Sequence, residues 1–130
     1  MKATAQRIYK SWKEDAYDEL DGAPKLTQSR VTNTFVGDIE GESWEEYLMM
    51  YRSDDSCSYI GLERIIGKLG ERSGSFVVQG IGTYENGMAR ASLTIIPGSG
   101  TGDLVGIRGQ GEYVAPKGQY STVTLDYEFN

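Results

Sequence analysis

The residues of this chain that could do chemistry are polar side chains set inside apolar, strand-like segments. Glu46, Tyr47 and Tyr51 stand among Leu48, Met49 and Met50; Glu63 and Arg64 stand among Leu62 and Ile65; Gln79 follows Val78. A carboxylate buried in an apolar barrel holds its proton to a higher pH and can act as acid or base. Glu63 and Glu46 are therefore the candidate catalytic residues. A neighbouring tyrosine or glutamine can polarise a carbonyl or orient a ligand, and Tyr47, Tyr51, Arg64 and Gln79 are the candidate ligand contacts. Successive strand residues face opposite sides. Glu46 and Tyr47 thus cannot both point inward, nor can Glu63 and Arg64, and periodicity leaves open which of each pair does. The plainer reading puts the charged member on solvent or in a structural ion pair.

Other chemistries are excluded by what the chain lacks. It has no histidine, which removes Ser-His-Asp and Cys-His triads and every imidazole metal site. The single Cys57 can form neither an internal disulfide nor a thiolate zinc site, and acids near it in the sequence would raise its pKa and leave it inert. The glycine-rich run Gly98-Ser99-Gly100-Thr101-Gly102 resembles a phosphate cradle. A dinucleotide fingerprint, however, opens a helix after a strand, and here Asp103 and a strand follow. Gly61 through Gly67-Lys68 misses the P-loop spacing, with Leu69 where Ser or Thr is required. The acids Glu14, Asp15, Asp18, Glu19 and Asp21 lack the ligand order of a calcium loop. No metal and no cofactor is expected.

The elements that must position the candidates are strands. Seventeen glycines against three prolines mark a turn-rich β chain. Residues 120–129 give the clearest pattern, with Val123, Leu125, Tyr127 and Phe129 alternating with Thr122, Thr124, Asp126 and Glu128. Strands are also predicted over 4–13, 25–39, 44–52, 58–69, 73–84, 88–96 and 104–114, with the last strand opening at Gln119. Asn86-Gly87 is the strongest hairpin signal, since both central positions of that turn take positive φ. Residues 14–24 read as an acidic crossover loop and 97–102 as a second loop. Eight short strands joined mainly by tight turns define an all-β, small antiparallel up-and-down barrel or sandwich, with residues 1–130 as one β-barrel domain. In 58–69, Ile60, Leu62 and Ile66 face one way and Tyr59 and Ile65 the other. A barrel has one interior, so an apolar outer face points to a homo-oligomer, with a dimer favoured.

Composition narrows the partners. The formal net charge of −6, with 13 scattered Lys and Arg, argues against nucleic acid and against an anionic membrane surface. No apolar run is long enough for a signal peptide or a membrane span, so a cytoplasmic location is expected.

Several blocks together resemble one family. These are Thr34-Phe35-Val36-Gly37-Asp38-Ile39-Glu40-Gly41, Glu46-Tyr47-Leu48-Met49, Gly61-Leu62-Glu63-Arg64, the stretch Gly70 to Gln79 that includes Ser75-Phe76-Val77-Val78-Gln79, and Pro97 to Leu104. In order and spacing they are similar to an uncharacterised bacterial domain-of-unknown-function family of small cytoplasmic proteins, from about Trp12 to the C-terminus. That family is similar in fold to allene oxide cyclase, so the resemblance implies an eight-stranded, calycin-like antiparallel barrel. It implies no activity. Family members often carry a histidine directly after the glutamine of the Ser-Phe-Val-x-Gln block; here that position is Gly80.

Three functions fit these readings. The first is a barrel that binds a small apolar ligand in its interior. The second is a cofactor-free isomerase or cyclase using a buried carboxylate and tyrosine. The third is a structural or oligomeric interaction module without a ligand.

Overall fold

The structure is a computed structural model and describes residues 1–118 and 120–130. Its strands are β1 (Lys2–Asp18), β2 (Lys25–Gly37), β3 (Ile39–Tyr51), β4 (Cys57–Leu69), β5 (Arg72–Glu85), β6 (Met88–Ile95), β7 (Thr101–Gly102), β8 (Ile107–Pro116) and β9 (Ser121–Phe129). Sequential long strands pair antiparallel, β4 pairs β5, and β1 pairs β9. The result is a closed eight-stranded up-and-down barrel, with β7 a two-residue patch laid on β5. Closure satisfies the backbone groups that an open sheet would leave on its edges.

Period-two alternation builds the interior. Val31 and Phe35 of β2, Tyr59 and Ile65 of β4, Phe76 and Val78 of β5, and Val123 and Leu125 of β9 are all buried. The Asn86-Gly87 turn has φ of 53° and 74°, as its sequence requires. Ile60, Leu62 and Ile66 lie exposed on the outside beside Trp44, Leu48 and Ile81.

The structure corrects four sequence boundaries. The strand expected over 25–39 breaks at Asp38, whose N–H bonds the Thr4 carbonyl at 3.0 Å while its carboxylate accepts the Thr4 N–H at 2.9 Å. Gly37 makes that break with φ of 126°, a region open mainly to glycine, and β3 therefore begins well before residue 44. The acidic segment 14–18 is strand, paired with β2. It lacks apolar alternation because Asp15 to Asp18 are exposed on both faces, while Glu14 is half-buried and accepts from the buried Thr27 at 2.7 Å. The last long loop runs further than expected, to Gly106, with Leu104 buried as a plug. Gln119, the expected start of the last strand, lies outside the described residues, and β9 begins at Ser121.

Candidate functional site

A layer of charge crosses the middle of the barrel. Glu45 of β3 and Glu63 of β4 stand directly opposite each other on neighbouring strands, both buried and both pointing inward. Facing like charges are destabilising, and Arg7 of β1 relieves this pair. Its Nη1 donates to Glu63 Oε1 at 2.8 Å and Glu45 Oε2 at 3.2 Å, and its Nη2 donates to Ser121 Oγ at 3.2 Å. Ser43 donates to Glu63 Oε2 at 2.6 Å, and Asn33 Nδ2 donates to Glu45 Oε1 at 3.0 Å. Burial alone would lower the Arg7 pKa, but Glu45 and Glu63 outweigh it and raise it well above its usual value. One cation does not balance two carboxylates. Burial first, and then the charge of Glu45, outweighs Arg7 at Glu63 and pushes that carboxyl up to about 7.

Above this layer the hydroxyls of three tyrosines form a chain. Tyr47 donates to Glu45 Oε2 at 2.7 Å, Tyr47 and Tyr113 oxygens are 3.1 Å apart, and Tyr113 and Tyr59 oxygens are 2.6 Å apart. The Arg7 guanidinium lies 4.2 Å over the Tyr113 ring. Burial raises the pKa of all three phenols, so they remain neutral O–H groups. Glycines hold two of the rings. Tyr47 faces Gly61 across β3–β4 and Tyr59 faces Gly82 across β4–β5. A Cβ on either glycine would run into the ring opposite.

The tyrosines and Arg7 floor a cavity of about 320 Å³. Its walls include Tyr9, Trp12, Met49, Tyr51, Tyr84, Ala89 and Ala115, and Lys117 stands at its mouth. Among the described residues, β1 pairs β9 over Lys2–Arg7, where β9 starts at Ser121. Beyond Arg7, β1 runs on along β2, with a bulge between Tyr9 and Ser11 that shifts its register. Tyr9 and Trp12, on either side of that bulge, both line the cavity. Cys57 also lines it, with its thiol pushed up to about 11 by burial and then by Glu14. It stays protonated near neutrality.

The structure divides the sequence-predicted residues between inside and outside. Glu63 and Tyr47 are buried inward, and Tyr51 lines the cavity near its mouth. Glu46, Arg64 and Gln79 point outward and share a broad depression with Trp44, Leu48, Ile60 and Leu62. There Glu46 accepts from Arg30 at 2.8 Å. The parity of each strand is the physical reason: Glu45, not Glu46, shares the inner face with Tyr47. The six predicted residues therefore do not form one site. Sequence reasoning missed Arg7, Glu45, Asn33, Ser43, Tyr59, Tyr113 and Ser121. The signal that could have found Glu45 is its spacing of two from Tyr47. Gly80 is buried on the inner face of β5. Among the described residues, no three His, Cys, Asp or Glu side chains gather as a metal-holding group, and no helix is long and apolar enough to cross a membrane.

Fold and site together define a closed antiparallel β-barrel with a buried charged layer beneath an aromatic cavity. The chain belongs to the family described as "Protein of unknown function (DUF3224)", which matches residues 3–127. It is similar to a crystal structure of a protein of unknown function from that family, from Shewanella oneidensis MR-1. The two share 28% identity and a TM-score of 0.81, over 100% of this chain and 98% of the other. No curated protein matches the chain in sequence.

Proposed function

We propose that the barrel binds a compact, mainly apolar small molecule in the cavity above Tyr47, Tyr59 and Tyr113. The observation that carries this reading is the cavity itself, an aromatic-walled space of about 320 Å³. An apolar cavity of about 150 Å³ accepts benzene, so a monocyclic or small bicyclic molecule fits. Toluene is a suitable probe. On titration it should shift the backbone amide NMR signals of Ala89 and Ala115 and leave those of Ile60 and Leu62 on the outer face unmoved. Ala89→Trp, which fills the cavity, should abolish the shifts. No shift in the parent protein at millimolar toluene would reject the reading.

A second reading is a cofactor-free isomerase or cyclase, the chemistry that likeness to allene oxide cyclase suggests. Its support is Glu63, a buried carboxyl whose pKa is pushed up to about 7 and which is joined through Arg7 and Glu45 to the tyrosines. Arg7 and Tyr47 line the cavity and the two carboxylates do not, so this reading needs a proton passed between Glu45 and the cavity through Tyr47, with Glu63 setting the charge of the layer rather than supplying the proton. Binding needs no such step and ranks first.

The outer apolar face around Trp44, Leu48, Ile60 and Leu62 supports a homodimer and, with no ligand, the structural-module reading. Native mass spectrometry of protein purified from its host reads copy number and retained ligand together. A cytoplasmic location completes the proposal.

A further inference from the structure

We infer that the molecule held in this cavity is a neutral alcohol or phenol whose hydroxyl meets the tyrosine chain, and not a carboxylate, a phosphate or an amine. The inference rests on the binding reading above and adds the polar group of the ligand to it.

The direction of the hydrogen bonds carries the argument. The Tyr47 proton is committed to Glu45 Oε2. The Tyr47–Tyr113 contact then needs its proton from Tyr113, and the shorter Tyr113–Tyr59 contact needs its proton from Tyr59. Every O–H in the chain points towards the carboxylate, and the far end, Tyr59 Oη, is left as an acceptor. A ligand group that donates completes the chain, whereas a group that only accepts must break one of its links. The second observation is Arg7. It lines the cavity and is almost wholly buried, and its Nε–H has no acceptor among the described residues. An unpartnered buried donor is costly. The lining thus carries one free acceptor, Tyr59 Oη, and one unpartnered donor buried behind the surface of Arg7, and a hydroxyl both donates and accepts.

Charge excludes the ions. An anion would have to compete for the single guanidinium, which Glu45 and Glu63 already share. A cation would meet Arg7 first, because Arg7 lines the cavity and the carboxylates stand behind it. A neutral group meets neither penalty.

Four probes of one frame test this at pH 7, read from the amide NMR shifts of Ala89 and Ala115: p-cresol, toluene, 4-methylbenzoate and 4-methylbenzylammonium. The expected result is p-cresol binding at least about tenfold tighter than toluene, with both ions weaker than toluene. Tyr59→Phe should bring p-cresol down to the affinity of toluene and leave toluene unchanged. The ranking in the parent protein needs no variant, so a misfolded variant does not remove the test. Equal binding of p-cresol and toluene, or tightest binding by either ion, overturns the inference and leaves the binding reading standing. No binding by any of the four overturns both.

Discussion

The two ends of the barrel interior are built from the same strands and differ in almost every other respect. At one end Phe35, Ile39, Leu69, Phe76, Ile95 and Ile107 fill the space, and Leu104 from the 97–106 loop caps it. The loop is pinned there by Ser99, which accepts the Val77 N–H at 3.0 Å, and by Thr101, which accepts the Ser75 N–H at 3.0 Å. At the other end the tyrosines leave a cavity. Where a loop covers the barrel, apolar packing seals it. At the tyrosine end the interior stays hollow, with aromatic walls over a polar floor.

The two ends should respond differently to damage. Phe76→Ala in the closed end should cost about 3–5 kcal/mol of stability through a cavity, with little dependence on pH. Arg7→Met should cost a similar amount, about 3–5 kcal/mol, because it strands two buried carboxylates. That loss should shrink in acid, where Glu63 takes up a proton and leaves less charge for Arg7 to balance. Urea unfolding of both variants at acid and neutral pH makes the comparison, and an Arg7→Met deficit that ignores pH would break it.

Glu63→Gln should have the next largest effect. The Glu63 carboxyl ordinarily titrates at 4.5 and in the folded barrel at about 7. Between these values the folded chain holds a proton that the unfolded chain has lost, so stability falls as pH rises through this window and levels off above it. The full fall is on the order of 3 kcal/mol. The variant should lose this slope while matching the parent near pH 4.5. An unchanged slope would assign the pH dependence to another group. Glu46→Gln should have the smallest effect, within about 0.5 kcal/mol, because its pair with Arg30 is solvent-exposed. A loss comparable to that of Glu63→Gln would contradict the division between inner and outer faces.

These two glutamates also measure how far the site was legible. Both stand in apolar strands, and Glu63 alone is inside. Tyr47 and Tyr51 follow the inner parity of β3, as does Glu45, but Glu46 does not. A strand with apolar residues on both faces, such as Leu48 outside and Met49 inside, gives no sign of which face is core. Shifting the parity by one residue exchanges every side chain. Arg7 was invisible for another reason. Charged residues are almost never fully buried without a partner, and its partners lie 38 and 56 residues further along the chain.

The residue order by itself determined the strand number, most of the turns and the all-β class. Those follow from period-two alternation and from glycine or asparagine at positive φ, which are local properties of neighbouring residues. Only the tertiary structure decided which face of each strand is inside, that the Arg7 guanidinium meets Glu45 and Glu63, and that three tyrosines share one cavity floor. Closure of the barrel brings residues from distant strands within hydrogen-bond distance, and no local pattern encodes that meeting.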